Sequence, residues 1–563
     1  MDLANKIVRN FRAFLLFFKT NATIAALGYW LFITLLSRKR LLELGEGATA
    51  TEAWSSVKLI VTGIFTICFL IVFANIVYRL IRRAKNNSNY KRLFIFGVIY
   101  FAVLIILLIL VWPGAYGNDD TSQLAAAQHF DLYPWQHIIT SMFDNIAIAC
   151  FPIASGIVIL QALIAPIIVG YIATFLPTVI VRNKKHLLAS QIATFFIFLL
   201  PPVLFYLMTG YRVAIYQLLE PLLFVLLFVH YREKRKFTRP ETVLLVFIAI
   251  LVAAWRSESI YYIVGFPALL LVTRKPLFKV KQIVCYSIIL AVSTAFISLL
   301  NMAAIGDDSY SIGALVVPAT AIAHEATVTG NKEDAEFYNY IYDLECSKRE
   351  NHLQDPDNSF FLCKYHHHTK KDSELFKAAL IKLIPKYLPS IAKYYKDILC
   401  DVVLTLKCTD LDYSGNTGDH SNIQLRWAME YQPTDEPNYQ VERRISIPFH
   451  HALSSTVRNG TIDVLTGHRK NGTKKTIYYT LFYNLVFPTI ALIIAIIIAI
   501  KRRNYFILIC ALLLFARFVL VTLFSMISFT MYYMPYYVSS YILLIMSFAK
   551  IDHKKSGAKK RKK

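Results

Sequence analysis

The sequence predicts an all-α polytopic membrane protein of about twelve transmembrane helices with one mainly helical external domain. Three observations predict it. Apolar runs of about 18 or more residues, long enough to cross a bilayer, recur along the 563-residue chain. The chain is 56% hydrophobic and its mean hydropathy is +0.48, well outside the range of a soluble globular domain. Charge is also partitioned. Residues 305–476 hold 23 of the 36 acidic residues and 20 Lys and Arg, a net −3, which leaves +27 for everything else. Basic residues elsewhere sit in short clusters between apolar runs, as the positive-inside rule requires. The overall +24 is therefore a topology signal and not the footprint of a nucleic-acid partner.

Residues 1–92 hold the N-terminal membrane helices. Lys6, Arg9 and Arg12 precede an apolar stretch from Phe14 to Leu36, interrupted by Lys19. Its first half suits an interfacial helix and its second half a short span. It carries no small-residue cleavage pattern and is read as retained. Leu59 to Leu80 is a clean span ending on Arg82-Arg83, which places that end in the cytoplasm.

Residues 93–304 form the membrane core. Leu93 to Val111 runs outward and delivers Trp112-Pro113-Gly114-Ala115-Tyr116-Gly117-Asn118-Asp119-Asp120 to the outer mouth. The stretch that follows, up to residue 150, is helical but broken by polar residues, among them Gln123, His137 and Asp144. It suits two membrane-hugging helices separated at Pro134. A span near Ile153 to Ile180 returns inward, and Leu187 to Met208 goes out with a kink at Pro201-Pro202. Val213 to Val229 comes back to the charged run Arg232 to Lys236. Thr242 to Ala254 and Ile260 to Val272 make a short hairpin with Arg256 and Glu258 at its outer tip. Ile283 to Ala304 leads out again.

Residues 305–476 are the one large extramembrane domain. Within it Leu375 to Ile391 is amphipathic, with Lys377, Lys382 and Lys386 on one face, and suits a helix lying along the membrane. Asn459-Gly460 and Asn471-Gly472 read as turns around a short strand at Thr461 to Leu465. The domain holds Cys346, Cys363, Cys400 and Cys408. Neighbour pairing (346–363 and 400–408) is the expectation among three connectivities, with four reduced thiols as the alternative. Residues 477–563 add spans near Ile477 to Ile500, Tyr505 to Phe524 and Tyr532 to Phe548. They end in a tail, Lys554 to Lys563, with seven Lys and Arg, read as cytoplasmic and either solvated or held to anionic lipid.

Four constellations bear on chemistry. Asp119 and Asp120 are adjacent carboxylates at the mouth of a membrane helix, after Pro-Gly and Tyr-Gly turn signals. They suit a general base, an organiser of metal or phosphate, or ordinary loop solvation. His366-His367-His368, His420 and His450-His451 lack metal-ligand spacing, and consecutive histidines cannot all face one ion. Arg517 interrupts an apolar span, so it must face a polar cavity, an anionic partner or Glu220, itself within a span. Tyr532-Tyr533-Met534-Pro535-Tyr536-Tyr537, taken alone, reads as an interfacial aromatic belt.

The order of these pieces resembles the GT-C superfamily of integral-membrane glycosyltransferases, in particular an uncharacterised bacterial membrane family of that type. An acidic residue in the first large external loop is matched by Pro113-Gly114 through Asp119 to Gln123. A His motif is matched by Trp135-Gln136-His137 to Thr140, and an Arg-containing hairpin by Trp255-Arg256-Ser257-Glu258-Ser259-Ile260-Tyr261. The opening of the external domain is matched by Ser311-Ile312-Gly313-Ala314 through Ala321-Ile322-Ala323-His324-Glu325, and the last external turn by Tyr532 to Tyr537. The resemblance runs in order over most of residues 93–550 through short, degenerate motifs. It departs at Tyr211-Arg212-Val213, where related proteins often open a span with an acid.

The resemblance implies a GT-C-like core at 93–304 whose catalytic loop is 112–150. It implies transfer of a sugar from a polyprenyl-phosphate donor to a cell-envelope glycan or glycopolymer, on the extracytoplasmic side of the cell membrane. Asp119 is then the catalytic base, with Asp120 the second candidate. Gln123, His137, Arg256, Arg517 and Tyr533 contact substrate. No cofactor is required, and a divalent cation, if one is used, falls to Asp119 and Asp120. The partners are the donor lipid, the glycan acceptor and membrane lipid, with no nucleic acid. Two other classes compete. A transporter or flippase for lipid-linked saccharides would use the same intramembrane charges as a pathway, but the repeated halves common in transporters are not evident. In a non-catalytic envelope-assembly protein Asp119 would be dispensable.

Overall fold

The computed structural model describes residues 20–36, 52–116, 123–305, 312–349, 353, 363–404, 455–475, 477–524 and 530–549, apart from a few positions inside these ranges. Asp119, Asp120, Trp135-Gln136, the histidine clusters at 366–368, 420 and 450–451, Cys408, Asn471-Gly472 and the basic tail lie outside the described residues. The chain is helical. It runs through α1 (Asn21–Leu36), α2 (Glu52–Asn86), α3 (Ser88–Leu110), α4 (Ile138–Cys150), α5 (Gly156–Thr178) and α6 (Lys184–Ile197). Then come α7 (Pro201–Leu207), α8 (Val213–Glu233), α9 (Arg239–Ala254), α10 (Tyr262–Val272) and α11 (Val280–Ile305). Residues 305–476 contribute α12 (Val316–Val328), α13 (Lys370–Leu404) and α14 (Ser455–Thr466), and the last three are α15 (Val486–Arg502), α16 (Tyr505–Phe524) and α17 (Thr530–Ser547). A two-residue strand pair, His468–Arg469 with Lys474–Lys475, is antiparallel.

Helix α8 is the axis of the bundle. Apart from Gln217, Glu220 and His230 its sequence from Val213 to His230 is apolar on every side, and such a helix is stable only when covered all round. Every residue from Val213 to His230 is buried, with α5 and α17 packed against it. Helix α3 lies along α5 at close range, because a Cβ on Gly170 would stand 2.7 Å from the Leu93 carbonyl oxygen. Small residues at such crossings let backbones approach where lipid offers no hydrophobic drive. The outer helices α2 and α11 instead expose Ile64, Phe65, Val292 and Phe296, as suits side chains that meet acyl chains.

Among the described residues seven helices are long and apolar enough to cross a membrane, or eight counting α6 and α7 as one span bent by 59°. The protein is thus a multi-pass membrane protein. The bend falls at Pro201-Pro202, where a proline supplies no N–H to continue the ladder. Reaching twelve passes requires α1 and α9 at 16 residues each, α10 at 11 and α17 at 18, all short for a bilayer about 30 Å thick.

A second buried cluster, separate from the bundle core, joins α12 and α13 through Ile312, Val316, Tyr338, Phe376, Leu380 and Tyr387. The Cys346–Cys363 disulfide, with Cα atoms 5.7 Å apart, closes its connecting loop. The other expected pair is not formed, since Cys400 is a free exposed thiol. The end of α13 is tied to the bundle: the Tyr395 hydroxyl donates to the Leu523 carbonyl at 2.9 Å, and the Leu485 N–H donates to the Val403 carbonyl at 3.1 Å.

Two local expectations are corrected. Thr461 to Leu465 is part of helix α14, not a strand. Arg458, Ile462, Leu465 and Thr466 are buried at helical spacing on one face, and burial of that face outweighs the Asn459-Gly460 turn signal. The tyrosines of α17 do not form a lipid-facing belt, because Tyr533, Tyr536 and Tyr537 are buried against the core.

Candidate functional site

Helix α3 stops at Leu110, and the backbone turns sharply over the next six residues. Gly114 has φ +142°, and a Cβ there would meet the Tyr116 ring at 2.7 Å and the Met208 carbonyl oxygen at 3.1 Å. Only glycine fits this position. The Ala115 N–H donates to the Met208 carbonyl at 2.8 Å, which fastens the turn to the end of α7. Arg458, 1% exposed, reaches across from α14. Its Nε donates to the Val111 carbonyl at 3.2 Å and its Nη2 to the Gly114 carbonyl at 2.6 Å. A buried cation therefore sets the turn that leads into Asp119 and Asp120. Sequence reasoning missed Arg458 because the strand assignment hid its helical register with Ile462 and Leu465.

Arg517 and Glu220 are both 0% exposed, on α16 and α8, with Nε and Oε1 3.5 Å apart. Burying one of these charges without the other is very costly, so the pair is enforced. The guanidinium also donates to the Ser259 hydroxyl at 2.7 Å and to the Tyr216 hydroxyl, and lies 4.7 Å over the Tyr216 ring. The Tyr262 hydroxyl donates to Glu220 at 2.5 Å. Helices α8, α10 and α16 and the 3₁₀ turn Ser257–Ser259 thus converge on one ionic network.

The turn also carries Arg256 and Glu258, which form an ion pair. Burial alone would raise the Glu258 carboxyl, but Arg256, then Arg517 and Arg212, hold it down at about 2. Arg256 stands 5.2 Å over the Tyr532 ring, and the Trp255 indole N–H donates to the Arg212 carbonyl at 2.8 Å. His137, at the start of α4, feels Arg212 and Glu258. Of the sequence-predicted residues, the structure therefore brings His137, Arg256 and Arg517 into one electrostatic cluster. Tyr533 points elsewhere, with its hydroxyl 3.3 Å from Thr522, and its neighbour Tyr532 makes the arginine contact. Gln123 is buried, and its Oε1 has no hydrogen bond among the described residues. No three His, Cys, Asp or Glu side chains converge as a metal site among the described residues.

His137 makes a pH prediction. Burial, reinforced by Arg212 and opposed by Glu258, pushes the imidazole down to about 4. The unfolded chain takes up that proton below about 6.5, whereas the folded chain resists until about 4. Stability from this group is therefore complete above pH 6.5, falls between 6.5 and 4, and falls no further. His137→Gln should flatten the unfolding temperature against pH across that window, removing on the order of 3 kcal/mol of pH dependence at most.

No protein-family model, no curated protein and no solved structure matches this chain.

Proposed function

We propose that the chain is a GT-C-type glycosyltransferase that moves a sugar from a polyprenyl-phosphate donor to a cell-envelope glycan or glycopolymer on the extracytoplasmic side. One observation carries the proposal. Arg256, Arg517 and Arg212 all act on the Glu258 carboxylate, and Arg517 pairs with Glu220 inside the bundle, so three guanidinium groups gather in a water-poor setting. There a cation acts far more strongly than in water and suits a phosphate that gains charge as it leaves. The His137 imidazole, neutral at pH 7, adds a hydrogen-bonding group without a second charge.

The reaction is a displacement at the anomeric carbon. Asp119 takes the proton of the acceptor hydroxyl, and that oxygen forms a bond to the anomeric carbon. The bond from that carbon to the phosphate oxygen breaks, and polyprenyl phosphate leaves with the electron pair against Arg256 and Arg517. Asp120 is the alternative base, Gln123 orients the acceptor, and a divalent cation, if used, sits on Asp119 and Asp120. A twelve-pass topology with both termini cytoplasmic belongs to the same proposal. It is supported by the −3 charge of residues 305–476 against +27 elsewhere and by the Cys346–Cys363 disulfide, a bond of oxidising compartments.

The test is nanodisc-reconstituted protein given radiolabelled polyprenyl-phosphate monosaccharides and envelope glycan fractions. Label should pass into the glycan with at least one donor, and Arg256→Ala should abolish the transfer. Movement of the labelled lipid across a liposome membrane without glycan labelling would make the protein a flippase.

A further inference from the structure

Two carboxylates answer the arginines of the cluster, and they are held in different ways. Glu220 is sealed in the bundle, bonded to Tyr262 and paired with Arg517. Glu258 sits at the rim, where its side chain keeps 16% of its surface and Ser257 beside it is exposed. Arg256 is its ion-pair partner. Its other side-chain hydrogen bond among the described residues is a long one, 3.5 Å from the Ser257 hydroxyl.

The backbone on both sides of Glu258 is fixed. The Ser259 hydroxyl is tied to Tyr216 and to Arg517, each at 2.7 Å, and the Trp255 indole is bonded to the Arg212 carbonyl. Arg256 is held as well, 4% exposed and lying over the Tyr532 ring. The Glu258 side chain, with an edge on solvent, is the part left to move.

This arrangement decides what can use the cluster. Arg256 has almost no surface of its own to offer while the Glu258 carboxylate lies against it. A phosphate set there beside that carboxylate would put two anions in contact where water screens poorly, and the repulsion is steep. Carboxylate and phosphate are both compact anions whose oxygens accept from guanidinium N–H groups, so one can take the other's place.

We propose that Glu258 is a built-in stand-in for the substrate phosphate: its carboxylate holds the arginines before substrate binds, swings out to solvent when a phosphate lipid arrives, and returns to help expel the product. The identity of the lipid rests on the glycosyltransferase reading, whereas the exchange of one anion for another does not.

The exchange makes Glu258 a specificity residue. A neutral lipid cannot replace the lost carboxylate, so it does not open the site. A polyprenyl-phosphate sugar is a phosphodiester with a single negative charge, and its exchange for one carboxylate leaves the charge of the site unchanged. As the sugar departs, the phosphate becomes a monoester carrying about 1.5–2 negative charges at pH 7, and the arginines hold the added charge. That gain falls on the transition state and not on the bound donor, which is where binding accelerates a reaction. The returning carboxylate then competes for the same guanidinium groups and shortens the stay of the product.

The experiment is binding and thermal unfolding of the full protein in nanodiscs, with farnesyl phosphate as the probe and farnesol as the neutral control. The wild type binds only from the state in which the carboxylate has swung out, which lowers its apparent affinity by the population of that state. Glu258→Gln removes the competing anion and should bind farnesyl phosphate roughly tenfold more tightly, as for a state populated about one part in ten. It should unfold at a lower temperature than the wild type, and farnesyl phosphate, unlike farnesol, should restore the difference. The double variant Glu258→Gln with Arg256→Gln should lose both the tightened binding and the rescue. A permanent structural pair predicts the opposite, with unchanged or weaker binding in Glu258→Gln and no rescue. Either of those results, an equal response to farnesol, tightened binding that persists in the double variant, or no binding by any variant would overturn the proposal. If Glu258→Gln does not fold, Glu258→Asp keeps the charge on a shorter arm that holds Arg256 less well. Its affinity for the probe should then exceed that of the wild type, and an unchanged or lower affinity would overturn the proposal equally. Tightened binding in Glu258→Gln of a protein that transfers no sugar would leave the anion exchange standing and remove the transferase.

Discussion

Asp119→Asn is expected to slow sugar transfer by about 10²–10⁴, the usual loss when a general base is removed, while the protein folds and unfolds as before. The substitution keeps shape and polarity and removes only the ability to take a proton. It therefore separates two roles that the position could play. As a helix N-cap, Asp and Asn are nearly equivalent, and Asn would leave turnover unchanged. As a base, Asn is inert. Single-turnover transfer from a labelled donor reads the chemical step directly. The same assay on Asp120→Asn assigns the role within the pair: a dead Asp120 variant beside an active Asp119 variant moves the base by one residue. Two active variants would end the mechanism.

Arg517→Met should destabilise the protein by about 3–5 kcal/mol, since it strands Glu220 in a fully buried site without its counter-charge. Glu220→Gln should do comparable harm by stranding Arg517. The double variant should recover most of the loss, because removing both charges also removes both desolvation penalties. Thermal unfolding in detergent measures all three. Additive losses in the double variant would show that the two side chains act independently. Recovery of stability without recovery of transfer would add to the ion pair a second role for Arg517 at the phosphate.

Much of the arrangement was legible in the sequence where one physical signal dominates. Apolar runs bounded by basic clusters located the long helices, Pro201-Pro202 marked the bend, and the hairpin Thr242 to Val272 with Arg256 and Glu258 at its tip is formed as read. Arg517 and Glu220 stood out because charge is rare inside apolar spans, and their pairing was one of three readings left open beside a polar cavity and an anionic partner. The rest depends on contacts between distant segments. Nothing in the sequence around Arg458 singles it out, and only the packing of α14 against the turn after α3 shows what it holds. Tyr532 and Tyr533 differ only in which way each points from α17, which sequence spacing cannot decide without the neighbouring helices.

The Arg517–Glu220 pair also sets a timetable. Glu220 leaves the ribosome about 300 residues before Arg517, which at roughly 5–20 residues per second is about 15–60 s. During that interval α8 carries an unpaired acid within an apolar span, a state worth about 2.5–3.5 kcal/mol against insertion for an unshielded charge at a span's centre. The core cannot close until the last spans arrive, so the nascent chain spends most of its synthesis as an open, lipid-immersed intermediate. Completion of the C-terminus is thus the checkpoint at which this protein becomes one molecule.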